Sequence, residues 1–321
     1  MARGLPQPVE GSRPREAGMT EETGTTSDVV AGMRLTHPER VLFPVQGITK
    51  RDLALYLEAA APRLLPHAAG RLLSLVRCPR GRSRQCFFQR HGGASLPSAF
   101  RRLQVQEKEG GSDQYVYLDD IRGLIAAAQF GVLELHVWGS RVDALDTPDR
   151  IVFDIDPDPA VPFAAVRDAA RRMRDALDAL GLAGFALVTG GKGIHVVVPI
   201  IRRHGWPTVA GFARAVAERF AADAPDRFVA TMSKAERQGR IFIDHFRNGR
   251  AATAICPYSP RAREGAPVAW PVAWDALDGV PGADAFRLPD VRARLADPDP
   301  WEGYATLRQE LTAAALRALG L

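Results

Sequence analysis

Cysteine is scarce in this chain of 321 residues: only Cys78, Cys86 and Cys256 occur. They form no C-x-x-C pair, an odd number closes no disulfide framework, and the interval between the first two is too loose for a structural zinc site. All three are expected to be reduced thiols. Long apolar runs are also missing. Nothing approaches the roughly 18 residues of a membrane span, and the N-terminus lacks the apolar core of a secretory signal, so no membrane association is expected and the cytoplasm is the expected compartment. Lysine is rare as well: of 42 Lys and Arg residues only Lys50, Lys108, Lys192 and Lys234 are lysine. With abundant Ala, Pro and Gly, this points to a biased genomic composition, in which each lysine that does occur draws notice.

What is present suffices for a core. Hydrophobic residues make up 46%, enough for one large domain or two small ones. The net charge of +5 favours a polyanionic partner, because clustered cations release counterions from a nucleic acid backbone. Residues 1–32 are rich in Gly, Pro, Glu, Ser and Thr without hydrophobic period and read as a disordered tail. A single domain is expected over 33–300, with a C-terminal helix in 301–321, patterned from Tyr304 to Leu319. Near its start, helical spacing runs from Thr49, a plausible N-cap, to Leu65, where Pro66 should stop it. Later segments alternate strand and helix: a helix at Ile121 to Phe130, a strand at Val132 to Trp138, a strand at Ile151 to Asp156, a helix at Phe163 to Leu180, then strands around 186–188, 194–199 and 241–244. That alternation argues a layered sheet with helices packed on it.

Chemistry concentrates in a few places. In Ile151-Val152-Phe153-Asp154-Ile155-Asp156 two carboxylates interrupt an apolar strand. Successive strand side chains alternate, so Asp154 and Asp156 share a face about 7 Å apart at Cα. Two buried like charges cost several kcal/mol or force protonation, and a divalent cation offsets this; hard oxygen ligands select Mg²⁺ or Mn²⁺. The bland alternative, an Asp-Pro-Asp-Pro turn capping the next helix, suits Asp158 better. Asp244, ending another apolar strand, is the candidate third ligand of a two-metal site, though one strand-end Asp is also a common turn former. Thr189-Gly190-Gly191-Lys192-Gly193-Ile194-His195 is a Gly-rich turn between strands, able to bring backbone N–H groups, Lys192 and His195 to phosphate oxygens; it is neither a Walker A loop nor a dinucleotide fingerprint. Arg261, in the rigid turn Pro257 to Arg263, could clamp a triphosphate. Between Cys78 and Ser112 the chain is polar, basic and Gly-rich around Phe87-Phe88. Cations interleaved with rings suit a single strand or strand end, with at least one of the two phenylalanines expected in the core.

Taken in order, these elements resemble the polymerase domain of bacterial ligase D, in the archaeo-eukaryotic primase superfamily. The resemblance runs from about Leu35 to Leu277. It is carried by Leu35 to Pro44, Gly47 to Lys50, Cys86-Phe87-Phe88, Phe153-Asp154-Ile155-Asp156-Pro157, Gly190 to His195, Ile243-Asp244 and Ala254 to Arg261. It implies an α+β primase-polymerase fold whose central mixed sheet carries the catalytic carboxylates. It further implies that Asp154 and Asp156 ligate two ions, Mn²⁺ or Mg²⁺, with Asp244 serving mainly the ion near the primer 3′-hydroxyl. Lys192, His195 and Arg261 would hold the triphosphate, with His136, Thr189, Phe88 and Arg247 completing the nucleotide contacts. Arg40, where some relatives have lysine, and Lys50 match the basic pair that receives a downstream 5′-phosphate. Phe87 and Arg77 fall among the DNA contacts.

The activity so implied is in-line attack of a primer 3′-hydroxyl on the α-phosphate of an NTP or dNTP, releasing pyrophosphate, at gapped DNA or DNA ends in non-homologous end joining. Nucleoid association, and Ku and an ATP-dependent ligase acting in trans, follow as expectations. Two competing readings use the same residues: a catalytically silent DNA-end binding module, and a metal-dependent phosphohydrolase that activates water instead.

Overall fold

The computed structural model describes Met1 and residues 28–93, 96–107 and 110–321. The expected N-terminal tail therefore lies almost wholly outside the described residues, as does Lys108. Of its last residues, Val29–Val30 pairs antiparallel with Met33–Arg34, and Val30 is buried.

Two sheets organise the molecule. The first has the order Phe228–Val229, Ile241–Asp244, Arg150–Pro157, Ile194–Pro199, Phe185–Val188, Trp270–Val272. It is mixed: the outermost pair, 228–229 with 241–242, is parallel and the rest are antiparallel. The alternation in Arg150–Pro157 explains its two faces. Ile151, Phe153 and Ile155 are buried in the main core together with Val166, Ala170 and Met173 of helix Phe163–Asp178 and Phe212 and Val216 of helix Trp206–Asp223. On the opposite face Val152 packs with Leu187, Val197, Ile255 and Trp301, and further along that same face come Asp154 and Asp156.

The second sheet runs Thr253–Ile255, Val132–Trp138, Leu73–Arg77, Ser112–Tyr117, Arg101–Gln106, with Phe87–Gln89 also paired to Leu73–Arg77. Helix Lys50–Ala68 packs beside helix Ile121–Gln129. Thr49 caps the former: its hydroxyl accepts from the Asp52 N–H at 3.2 Å, and the Asp52 carboxylate accepts from the Thr49 N–H at 2.8 Å, a reciprocal pair that satisfies two end donors. The helix does not stop at Pro66. It runs on to Ala68 because the end carbonyls that lack intrahelical donors are met by arginines, Arg141 donating to Pro66 O and Ala69 O and Arg150 to His67 O.

Three further expectations need correction. Cys78 and Cys86 are joined in a disulfide, leaving Cys256 as the free, buried thiol. The reason is sheet register: Arg77 pairs with Phe87 across the two strands, so the residues just beyond, 78 and 86, face each other with Cα atoms 4.3 Å apart. Sequence spacing alone hid this, because the strand Phe87–Gln89 sits in a segment that reads as polar loop, as does Arg101–Gln106. Second, neither Phe87 nor Phe88 is a core residue; they are 42% and 57% exposed. Third, the C-terminal helix is confined to Ala313–Ala318. Residues before it are drawn along the first sheet instead: Trp301 Nε1 donates to Ala186 O, Gln309 side-chain atoms bond Ala183 and Pro199, and Gln309 O accepts from Ile201 N. These tertiary contacts outweigh the weak helical periodicity of the segment.

Candidate active site

The sheet ladder assembles the site directly. Asp154 is register partner of His195 on one neighbouring strand and of Asp244 on the other, so three functional side chains stand in one row, with Asp156 two residues along on the same face. The hairpin before His195 passes close over this strand: a Cβ on Gly193 would lie 2.1 Å from Ile155 O, so only glycine fits there. Gly190 has φ +66° and would bring a Cβ within 2.8 Å of Arg261 Cγ, so glycine serves both the turn and the approach of Arg261. Thr189 ties the loop: its hydroxyl donates to Gly193 O at 2.9 Å and accepts from Gly191 N at 3.2 Å, and its carbonyl accepts from Arg261 Nη1 at 2.6 Å.

A cavity of about 320 Å³ opens between the two sheets. Asp154, Asp156, Thr189, Lys192, His195, His136, Arg247 and Arg261 all line it. Asp244, 8% exposed, stands beside it. Phe88 reaches the rim, its ring edge-on to His136 at 5.8 Å between centroids. Phe87 carries the Arg77 guanidinium 5.0 Å from its centroid, and the same guanidinium stacks 3.7 Å from Phe130. Arg40 and Lys50 do not line the cavity. They sit together at the hairpin Val41–Phe43/Ile48–Thr49, where Lys50 N donates to Arg40 O. Arg40 donates to Pro79 O at 3.1 Å, and the Lys50 ammonium to Thr36 O at 2.5 Å. Burial, and then Arg40, lower the Lys50 pKa.

Charge in the cavity is unevenly balanced. Burial opposes ionisation of Asp154, yet His195, 3.5 Å away, and Arg247 hold its carboxyl down at about 2. Asp156 is pushed up by burial and by the Asp154 charge, and Asp244 by burial with Asp154 adding to it against Arg247. Burial first, and then the neighbouring Asp154 charge, thus oppose ionisation of two of the three carboxylates. An all-oxygen donor set of neighbouring carboxylates on one sheet face fits hard divalent ions. The three carboxylates nonetheless stand wide of one another; among the described residues, the grouping whose ligand atoms all lie within 4.8 Å is His91, Glu107 and Asp113, elsewhere on the chain.

Three contributors escape the sequence. Glu134, 6% exposed, binds His136 Nε2 at 2.8 Å, Arg261 Nε at 3.1 Å and Ala262 N at 2.8 Å. Burial opposes its charge, but His136 and Arg261 hold it at about 2. Its signal is visible in retrospect as the one carboxylate two residues before His136 in an apolar strand. Arg237, 3.6 Å from Asp156, stacks 3.7 Å from the Phe242 ring, and Arg263 lines the cavity; as surface arginines in an arginine-rich chain, neither stands out.

The mixed sheet carrying these carboxylates, with helices packed on it, is a fold of the primase-polymerase type. Residues 49–301 match the family described as LigD, primase-polymerase domain, and the chain belongs to that family. It is similar to the multifunctional non-homologous end joining protein LigD of Pseudomonas aeruginosa, 37% identical over 318 residues that cover 98% of this chain and 37% of that protein. The protein of the same name from Mycolicibacterium smegmatis is 34% identical over 265 residues, 82% of this chain and 34% of that one. The chain therefore spans little more than a third of the length of these relatives. Among solved structures, the polymerase domain of Mycobacterium tuberculosis ligase D in complex with DNA aligns with a TM-score of 0.78 at 31% identity, covering 85% of this chain and 98% of that one.

Proposed function

We propose that the chain extends primer 3′ ends and fills short gaps at broken DNA, taking nucleotides from NTP or dNTP, as a polymerase of non-homologous end joining. The observation that carries this reading is the ladder row His195–Asp154–Asp244 beside the Gly-Lys-Gly hairpin: carboxylates for ions and cations for a triphosphate in one cavity.

Asp154, Asp156 and Asp244 would hold two divalent ions, Mn²⁺ or Mg²⁺, with Asp244 serving mainly the one near the primer 3′-hydroxyl. Bound there, the ions would supply the positive charge that lowers the hydroxyl pKa and offsets charge on the α-phosphate. Lys192, the backbone of the hairpin, His195 and Arg261 grip the triphosphate in line for attack, and their fixed positive charge favours departure of pyrophosphate. Glu134 keeps Arg261 and His136 aimed into the cavity. Phe88, with Phe87, offers exposed rings to a base, and Arg77 is anchored beside them. Arg40 and Lys50 receive a 5′-phosphate. Partners are gapped DNA or DNA ends with a 5′-phosphate, and Ku and an ATP-dependent ligase in trans; the working compartment is the cytoplasm, at the nucleoid.

The test is primer extension on gapped, 5′-phosphorylated DNA with each nucleotide and Mn²⁺ or Mg²⁺. Extension by the wild type and none by Asp154→Ala supports the polymerase. Shortened product alone favours a phosphohydrolase, and DNA binding without either product favours a silent end-binding module.

A further inference from the structure

The three aspartates raise a physical question: what keeps them together when no divalent ion is present? Asp154 and Asp244 face each other directly across the ladder, where bare carboxylates repel. One nitrogen answers for both. Arg247 Nη2 lies 3.1 Å from Asp154 Oδ2 and 3.1 Å from Asp244 Oδ2, and Arg247 Nε adds a contact to Asp154 at 3.2 Å.

The backbone behind this side chain is firmly held. Arg247 lies in the short 3₁₀ turn Phe246–Asn248, which starts where the Asp244 carboxylate accepts from Phe246 N at 2.8 Å. The next residue, Asn248, is buried and takes the place of a ladder partner: it accepts from Val152 N at 2.7 Å and donates to Val152 O at 2.8 Å and His245 O at 2.9 Å. A pinned backbone leaves the side chain as the moving part, and its side chain is 41% exposed. The same guanidinium lines the cavity that also holds Lys192 and Arg261, so rotation about its own bonds turns it from carboxylate to phosphate oxygens, both of which its planar fork suits.

We infer that Arg247 is an internal placeholder cation, bridging Asp154 and Asp244 in the ion-free protein and moving to the triphosphate when ions and nucleotide enter. The inference rests on the two-ion reading above. Its consequence is coupling. An ion arriving alone must displace the guanidinium into solvent, whereas an ion arriving with nucleotide finds the displaced guanidinium a new anionic partner. Each ligand then strengthens the other by the same factor. Arg247 is on this view a positioning residue that makes ion and nucleotide binding concerted.

The test measures Mn²⁺ binding by electron paramagnetic resonance, with and without an α,β-non-hydrolysable nucleotide and corrected for ion held by free nucleotide. Wild type, Arg247→Gln and Asp154→Asn are compared. Wild type is expected to bind Mn²⁺ weakly alone and roughly tenfold or more tightly with nucleotide, within the usual span of coupling. Arg247→Gln should bind Mn²⁺ alone more tightly than wild type and lose most of the nucleotide enhancement. A double-mutant cycle of Arg247→Gln and Asp244→Asn, read as Tm, should show coupling in EDTA that disappears with saturating Mn²⁺ and nucleotide. Undiminished enhancement in Arg247→Gln, or coupling that persists when loaded, would overturn the placeholder. Failure of the two-ion reading looks different: Mn²⁺ binding would then be the same in wild type and Asp154→Asn. Arg247→Lys, which keeps the charge without the fork, guards against a misfolded Gln variant and is expected to fall between the two.

Discussion

Replacing Glu134 by glutamine removes one charge and almost no volume, so its effect can be worked from the contacts. The carboxyl lies at about 2 against an ordinary 4.5, and at about 1.4 kcal/mol per pKa unit its surroundings favour the ionised form by about 3 kcal/mol. Glutamine keeps one acceptor but turns an amide donor either towards Ala262 N–H or towards Arg261 and His136, which share the other oxygen, and in both cases leaves a buried guanidinium short of its counter-charge. A loss of about 2–3 kcal/mol is expected near neutral pH, or a Tm lower by about 5 °C or more. The pH dependence has a definite sign. A depressed carboxyl pKa stabilises fully above the unfolded value, and that contribution fades as pH falls from about 4.5 towards 2. The stability gap between wild type and Glu134→Gln should therefore be flat from pH 8 to about 5.5 and narrow in acid. KM for nucleotide should rise about 10- to 100-fold, the order found when a hydrogen-bonded partner that orients a metal ligand is removed. Chemical denaturation across pH, with steady-state extension kinetics, reads both. A gap below about 1 kcal/mol at pH 7, or one that widens in acid, would refute the electrostatic reasoning.

Further outcomes follow from other parts of the structure. Thiol titration of the unreduced, denatured protein should return one reactive cysteine, Cys256, rising to three after reduction; Cys86→Ser should lower stability by about 2 kcal/mol, the order expected for a short closed loop, and three thiols without reduction would remove the disulfide. Phe88→Ala, at an exposed site, should leave Tm unchanged but weaken binding to primer–template DNA by about 1–3 kcal/mol in a fluorescence anisotropy titration, the worth of one stacked base; unchanged affinity would send that ring's role elsewhere. Arg40→Ala should abolish the preference for a 5′-phosphate over a 5′-hydroxyl in the same titration, while equal discrimination in variant and wild type would count against the basic pair.

What could be read from the sequence divides along physical lines. Asp154 and Asp156 were legible because charge in an apolar strand is rare and a period of two fixes their common face. The Gly-rich hairpin was legible because glycine and lysine are conspicuous there, and Thr49 because a cap has a local pattern. Asp244 needed more: its place opposite Asp154 is a matter of strand order, which no local window contains. The same holds for the disulfide, set by the register of Arg77 with Phe87, and for Phe87 and Phe88, whose exposure depends on which strand they edge. Glu134 also interrupts an apolar strand, but it stands alone, without a second carboxylate at a spacing of two, and the partner that explains it, Arg261, arrives from 127 positions away in the chain. The C-terminal segment misled for the opposite reason, its helical period being real but weaker than the pull of Trp301 and Gln309 on the sheet.

The central claim, that the row built on Asp154 holds two divalent ions beside the triphosphate, is tested most directly by anomalous scattering from crystals soaked with Mn²⁺ and a non-hydrolysable nucleotide. The expected map has two peaks, both touching Asp154 and Asp156, one also touching Asp244, with Arg247 turned from the carboxylates to phosphate oxygens. A lone peak at His91, Glu107 and Asp113, or no peak at the aspartates with nucleotide bound, would contradict it.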